Sequence, residues 1–361
     1  MHPPSEKKLL VIYVGGTLGM KPDSKGSLAP VPGYFTEVVE NMEELSDPQM
    51  PNFSVKEFDP ILDSSCMGPS DWVNIATEIE KNYYDFDGFL VAMGTDTMAY
   101  TASALSFMLQ NLGKPVIVTG SQIPFSQAYN DARRNLIVSM IFASLEELHE
   151  VCVFFSDRLL RGCRASKVNS FGLEAFDSPN FPPLATVGVN IQERKDLLLP
   201  PPRNTLRVHK NMDANVVVIK LVPGFNDEAL LSMVNGCSHL KAVVLEMYGT
   251  GNMPSKKAAF LEFIEAAERH NVLIVAATQC RKGSAVLDLY AVGAELIRHG
   301  VVPAGDMTIE AVATKLAYLF GRGMTQEMVR SRLARSLRGE ISPRETYTTN
   351  LFSKNCVTAR L

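Results

Sequence analysis

The strongest constraint on the fold is a regular alternation of short apolar runs with longer amphipathic windows. β-Branched apolar runs occupy residues 9–14, 88–93, 115–119 and 151–155, and windows of helical length lie at 71–84, 97–112 and 128–143. Continuous apolar runs are typical of strands that are buried on both faces. Their alternation with helices predicts a parallel sheet with right-handed crossovers.

The composition of the sequence changes from about residue 192. Three consecutive prolines at 200–202, followed by polar residues, are typical of a linker. Strands are then predicted at 216–222, 242–246 and 272–276, with helices at 256–269, 288–299, 309–320 and 325–337. The sequence therefore predicts an α/β protein of two domains, each with a parallel-type sheet flanked by helices. The larger N-terminal domain spans 1–195, the linker 196–212 and the C-terminal domain 213–361.

Charge and cysteine spacing argue against several classes of protein. Thirty-five Lys and Arg against 39 Asp and Glu leave a net charge of −4, and no basic run exceeds two residues. Nucleic-acid and anionic-membrane surfaces need clustered positive charge, so neither partner is expected. The six cysteines lie at least eleven positions apart, which fits a reduced compartment. No apolar stretch approaches a signal-peptide core or a membrane span, so we expect a cytoplasmic protein.

Common cofactor and catalytic motifs are absent from the sequence. It contains no phosphate-binding P-loop, no G-x-G-x-x-G after the first strand, no G-x-S-x-G and no H-E-x-x-H. We therefore expect neither a metal ion nor a cofactor, and a chemistry that does not depend on a histidine base.

Two of the predicted strands end at glycines that are followed directly by a threonine. Thr17 follows Gly15-Gly16, and Thr95 lies in Gly94-Thr95-Asp96-Thr97. Ligands of doubly wound sheets bind beyond the carboxyl ends of the strands, and glycines leave backbone N–H groups accessible to an oxyanion. Taken singly, however, such residues are also common helix caps or turn residues.

Two further segments are ambiguous in the same way. Asp63-Ser64-Ser65 follows a short apolar piece at 60–62 and is by itself typical of a turn. Lys167 by itself is typical of a solvated lysine.

In combination these segments resemble the bacterial-type L-asparaginases. Residues 12–20 and 92–99 resemble the two signatures of that family, and segments 62–65, 115–124, 130–133, 184–188, 248–252 and 305–308 fit it in order. The resemblance covers about residues 9–339. The Asp-Ser-Ser form of segment 63–65 is similar to the cytosolic type I branch.

The resemblance implies hydrolysis of L-asparagine to L-aspartate and ammonia through an ester on Thr17. Thr95 and Lys167 would handle protons, because a partly desolvated lysine can draw a proton from, or through, a neighbouring hydroxyl. Asp96 would bind the substrate's α-ammonium group. The substrate-binding residues that the resemblance implies are Asp63, Ser64, Ser65, Thr95, Asp96 and Asn252.

The sequence departs from the family pattern in the loop after Thr17. Many relatives carry a tyrosine there that activates the nucleophile, whereas residues 25–30 contain none. Tyr290 is the favoured replacement over Tyr34, although it can equally be an ordinary residue of an amphipathic helix. The Gly-, Ser- and Pro-rich composition of loop 20–33 suits a lid, and also a disordered surface loop.

The resemblance also implies assembly and regulation. It implies a homo-oligomer, a tetramer built from close dimers, in which Asn252 contacts a neighbouring subunit unless segment 248–252 is only a turn. Cys280 falls near the expected position of a regulatory asparagine site.

Three alternative functions stay open. One is a broader glutaminase-asparaginase, and another is the amidase subunit of a tRNA-dependent amidotransferase. That subunit normally has an extra N-terminal domain, for which the sequence before Leu9 leaves no room. The third is a catalytically silent regulatory or scaffold homologue. A catalytically silent homologue is disfavoured because the sequence contains the whole set Thr17, Thr95, Asp96 and Lys167.

Overall fold

The computed structural model describes residues 6–253, 258–289, 291–344 and 346. These residues form two compact units, one that ends at Lys210 and one that begins at Asn211.

The first unit contains fourteen strands and four α-helices among its described residues. In chain order these are β1 (Lys8–Gly15), β2 (Met20–Pro22), β3 (Leu28–Pro30), α1 (Tyr34–Glu40), β4 (Asn52–Leu62), α2 (Pro69–Lys81), β5 (Gly88–Ala92), α3 (Met98–Met108), β6 (Leu109–Gln110), β7 (Val116–Thr119), α4 (Ala132–Ala143), β8 (Val151–Phe155), β9 (Arg158–Arg161), β10 (Ser166–Lys167), β11 (Phe176–Asp177), β12 (Ala185–Val187), β13 (Ile191–Glu193) and β14 (Arg207–Val208).

The large sheet of this unit has the order β13-β12-β9-β8-β7-β5-β1-β4. Strands β8, β7, β5, β1 and β4 are parallel, whereas β9, β12 and β13 extend the sheet in antiparallel fashion. The prediction of an α/β unit with a mostly parallel sheet is confirmed. All residues of β5, β7 and β8 are buried, as expected for strands whose apolar side chains pack on both faces.

Side chains of β1 alternate between the two faces of the sheet. Leu9, Val11 and Tyr13 point into one core, where they meet Phe35 of α1 and Leu136 of α4. This period of two is the ordinary geometry of a strand. The same core therefore lies directly beneath the loop that follows β1.

Helices α3 and α4 are shorter in the structure than the predicted windows 97–112 and 128–143. Helix α3 ends at Met108, because Leu109 and Gln110 form β6 and pair with β14. Strand β14 lies within the segment 196–212 that the sequence predicts to be a linker. Helix α4 begins at Ala132, directly after Asp131.

Among its described residues, the second unit contains a parallel sheet of four strands in the order β15-β16-β17-β18. Its elements are β15 (Val216–Lys220), α5 (Asp227–Gly236), β16 (Ala242–Met247), α6 (Ala258–Arg269), β17 (Leu273–Thr278), α7 (Ala291–Arg298), β18 (Val302–Pro303), α8 (Ile309–Gly321) and α9 (Gln326–Leu333). Phe260 and Phe263 of α6 lie in its core. None of the helices in the described ranges is long and apolar enough to cross a membrane.

Candidate active site

Four neighbouring strands of the large sheet, β7, β5, β1 and β4, end at the same edge. The loops after them carry Gln122, Thr95, Thr17 and Ser64, respectively. Because the carboxyl ends of parallel strands lie side by side, these four loops form one surface, where ligands of such sheets bind.

Two of these loops touch through their backbones, and the third approaches through a serine side chain. Gly16 has φ +87°, and a Cβ atom there would lie 2.2 Å from the Gly94 nitrogen. A Cβ atom on Gly94 would in turn lie 2.4 Å from Ser64 Oγ. Only glycine permits such approaches, so glycines at these positions bring Thr17, Ser64 and Thr95 together.

Gly16→Ala is expected to lower the free energy of unfolding by more than about 3 kcal/mol, because it combines an unfavourable positive φ with a backbone clash. The matched control is Gly26→Ala, since Gly26 has φ +83° but no atom within 4 Å of the added Cβ. This control should cost only the backbone strain, about 1–2 kcal/mol. Urea denaturation of both variants measures the difference, and equal losses would mean that the loops can separate without cost.

Lys167 reaches Thr95 and Asp96 from a separate strand pair. Strand β10, which carries Lys167, pairs in antiparallel fashion with β11. The Lys167 Nζ donates to Thr95 Oγ1 at 2.9 Å and to Asp96 Oδ1 at 2.7 Å. Thr95 is 7% exposed, whereas the Asp96 side chain is 66% exposed. The Lys167 Nζ atom thus lies between a buried hydroxyl and a carboxylate that still faces solvent.

The segment Asp63-Ser64-Ser65 forms a capped turn. Asp63 Oδ1 accepts a hydrogen bond from the Ser65 N–H at 2.9 Å, at the start of a short 3-10 helix. The Thr97 hydroxyl donates to the Ser64 carbonyl at 2.7 Å and so joins this turn to the Thr95 loop. Asp63 and Ser65 are exposed and Ser64 is buried. The turn expected from the residue types alone is present, and it borders the two threonines.

Gln122 is a site residue that sequence reasoning missed. The Thr95 hydroxyl donates to Gln122 Oε1 at 3.4 Å, and Gln122 Nε2 donates to the Gly172 carbonyl at 3.2 Å. The Asp131 carboxylate fixes the loop by accepting from the N–H groups of Gln122 and Ile123 at 3.0 and 2.9 Å. The sequence does contain a signal for Gln122, because this residue comes just after β7 in the same way that Thr17 comes just after β1.

Thr17 begins a 3-10 turn that leads into a β-hairpin. The turn spans Thr17–Gly19, and Thr17 is partly buried. Within loop 20–33, β2 and β3 pair in antiparallel fashion, and Asp23 Oδ1 accepts from the N–H groups of Lys25 and Ser27. The segment is therefore an ordered hairpin and not a structureless loop.

The tyrosine candidates differ in what the structure describes. Tyr290 lies outside the described residues. Tyr34 begins α1, and the Lys21 Nζ lies 3.7 Å from the centroid of its ring.

The second unit carries two of the sequence-predicted residues on turns. Asn252 is exposed and closes a tight turn in which its backbone exchanges hydrogen bonds of 2.8 and 3.1 Å with Tyr248. Cys280 is exposed just after β17, and its N–H donates to Thr278 Oγ1 at 3.0 Å. Among residues 6–253, 258–289 and 291–344, no group of three histidine, cysteine, aspartate or glutamate side chains could hold a metal ion.

Comparison with known proteins identifies the family. The model of the asparaginase N-terminal domain matches residues 8–198, and that of the glutaminase/asparaginase C-terminal domain matches residues 215–333. The chain is 41% identical to L-asparaginase 1 of Escherichia coli K12, an alignment that covers 94% of this chain and 99% of the relative. It is 38% identical to the 60 kDa lysophospholipase of Mus musculus, covering 93% of this chain and 63% of the relative. The crystal structure of L-asparaginase I from Vibrio cholerae matches with a TM-score of 0.86 and 38% identity, over 94% of this chain and all of that chain. The chain belongs to the asparaginase family.

Proposed function

We propose that this chain hydrolyses L-asparagine to L-aspartate and ammonia through a threonine-linked acyl-enzyme. The observation that carries the proposal is the contact of Lys167 Nζ with Thr95 Oγ1 at 2.9 Å, beside the turn that carries Thr17. A nucleophile needs a partner that can take its proton, and a lysine joined to a second hydroxyl supplies one without histidine or metal. The family membership of the chain supports the same chemistry.

The proposed reaction has two steps. Thr17 Oγ attacks the side-chain amide carbon of asparagine, and its proton passes through the Thr95 hydroxyl to Lys167 in the amine form. Backbone N–H groups near Thr17 stabilise the oxyanion, the C–N bond breaks, and the nitrogen takes the proton and leaves as ammonia. Water then attacks the β-aspartyl ester with Lys167 again receiving the proton. The ester bond then breaks and releases aspartate, and Lys167 returns the proton to the Thr17 oxygen, which restores the hydroxyl.

Substrate binding is assigned to the polar groups around this pair. The Asp96 side chain is 66% exposed, so its carboxylate can accept from the substrate's α-ammonium group while it pairs with Lys167. The Thr97 hydrogen bond joins the Thr95 loop to the turn 63–65. The α-amino and α-carboxylate groups of the substrate are held by Asp63, Ser64 and Ser65 of this turn.

The test of this function is the release of ammonia from L-asparagine, L-glutamine and D-asparagine by the purified chain, with fatty-acid release from a lysophospholipid as a fourth assay. We expect L-asparagine to react fastest. Comparable turnover of L-glutamine would favour the broader glutaminase-asparaginase. Absence of L-asparagine turnover would contradict the proposal and favour a silent regulatory homologue, and turnover of the lysophospholipid alone would favour an esterase.

The proposal extends to assembly and location, on the basis of the family resemblance. The chain forms a homotetramer of two close dimers in the cytoplasm, and Asn252 contacts a neighbouring subunit. Light scattering of the purified protein should give four times the chain mass of 39.7 kDa. The mass of a monomer would contradict this assembly.

A regulatory asparagine site near Cys280 is also proposed. Cys280 is exposed on a turn of the second unit, so its thiol is accessible to a small ligand. Cys280→Ser should leave the maximal rate intact and change the sigmoidal shape of the saturation curve, because only the regulatory site is altered. Cys237→Ser is the control, since Cys237 is also an exposed thiol of the same unit. Equal sigmoidicity in Cys280→Ser and the unsubstituted chain would remove this site from the account.

A further inference from the structure

Tyr13 lies beneath the turn that carries Thr17. It is fully buried in β1, and its ring stacks on Phe35 with 4.1 Å between centroids and 5° between planes. Its hydroxyl donates to the Gly16 carbonyl at 3.1 Å, and its oxygen accepts from the Gly19 N–H. A Cβ atom on Gly19 would lie only 2.3 Å from this hydroxyl. One phenol therefore joins the two ends of the 3-10 turn.

The Tyr13 hydroxyl stays protonated. Burial raises its pKa well above the ordinary value, and the hydrogen bond with Gly19 opposes that rise only in part. A raised pKa favours the neutral phenol, which can donate a hydrogen bond. The contribution of Tyr13 to the turn is therefore its hydrogen bonding, which the contact with the Gly16 carbonyl shows directly.

The geometry of the peptide unit links Tyr13 to the site. The peptide bond between Gly16 and Thr17 is trans, so its C=O and N–H groups point in opposite directions. Tyr13 binds the carbonyl from the side of the buried core. The N–H of Thr17 is therefore directed away from the Tyr13 hydroxyl and from the buried core around it.

We propose that Tyr13 is a positioning residue, whose buried hydroxyl orients the Thr17 N–H as a donor to the oxyanion formed during attack on the amide carbon. This inference rests on the proposed function. A fixed donor stabilises the transition state because it needs no reorientation when charge develops. Without the Tyr13 hydrogen bonds, the Gly16–Thr17 peptide can rotate and the donor is no longer fixed.

The chain offers a matched control for this role. Tyr83 is also buried and stacks on a phenylalanine, Phe89, with an interplanar angle of 4°. Its hydroxyl accepts from the Gly113 N–H at 2.8 Å, before the start of β7 and thus at the opposite end of the sheet from Thr17. Tyr83→Phe therefore removes another buried hydroxyl that is hydrogen-bonded to a glycine backbone, without touching the site.

In Tyr13→Phe we expect kcat for L-asparagine to fall about tenfold, a fraction of the loss seen when an oxyanion donor is removed outright. KM and the inhibition constant of L-aspartate should stay within about twofold, because ground-state contacts are unchanged. Tyr83→Phe should keep the kcat of the unsubstituted chain. Phe35→Leu weakens the ring stack but keeps the Tyr13 hydroxyl. This variant should lose stability and retain kcat, and that result can be measured even if Tyr13→Phe fails to fold.

Three results would overturn the inference: an unchanged kcat in folded Tyr13→Phe, a rise in KM without a fall in kcat, or an equal fall of kcat in Phe35→Leu. Failure of the proposed function looks different. In that case the unsubstituted chain would not release ammonia from L-asparagine, or Thr17→Ala would retain its activity.

Discussion

Thr17→Ala is expected to reduce ammonia release from L-asparagine by about 10³-fold or more, because no ester can form without the hydroxyl. Thr17 is only partly buried and begins a 3-10 turn, so the loss of its hydroxyl and methyl groups there should leave the fold intact. The variant should therefore still bind L-aspartate, which calorimetry can measure. Steady-state ammonia assays of both proteins give the change in rate.

The matched control for this variant is Thr325→Ala. Thr325 caps α9 by accepting from the Met328 N–H, and loss of such a cap costs about 1 kcal/mol of stability. Its rate of asparagine turnover should equal that of the unsubstituted chain. Retained activity in Thr17→Ala would show that another group attacks the amide.

Lys167→Met is expected to lower kcat by about 10²–10⁴-fold, the usual range for loss of a proton-transfer group. Methionine keeps much of the side-chain length but removes the donor to Thr95 and the ionic partner of Asp96. The control is Lys195→Met, which removes a lysine that is 62% exposed and pairs with Glu147. That control should keep its activity in the same ammonia assay.

A second variant separates proton transfer from simple charge pairing. Arginine at position 167 would keep a positive charge for Asp96, but its guanidinium does not lose its proton in proteins. Lys167→Arg should therefore stay as inactive as Lys167→Met. Recovery of activity in the arginine variant would mean that Lys167 acts only as a fixed charge, and would contradict the proposed route through Thr95.

The central strands could be predicted from the sequence because each depends on its own apolar composition. The run at 9–14 is β1 (Lys8–Gly15), and burial on both faces makes the pattern strong. The antiparallel edge strands were missed. β13 (Ile191–Glu193) is entirely exposed and only three residues long. Its strand conformation comes from pairing with β12 and not from its side chains, so no local pattern predicts it.

The residues of the site also differ in whether the sequence alone predicts them. Thr17 and Thr95 follow from the rule that ligands bind at strand ends, and Gln122 obeys that rule as well. The contact of Lys167 with Thr95 joins residues 72 positions apart and depends on the β10 and β11 pair, whose strands have two residues each. The resemblance to a family brought Lys167 into the prediction. Tyr13 could not be singled out from the sequence, because a tyrosine in an apolar run is typical of an ordinary core residue.

The most direct test of the account is to stop the wild-type chain with acid during turnover of L-asparagine and to locate the covalent aspartyl group by peptide mass spectrometry. An ester of aspartate is stable enough in acid to be mapped, and the account predicts it on the peptide that contains Thr17. The same group on Thr95 or on any other residue would contradict the account, as would turnover during which no peptide carries it.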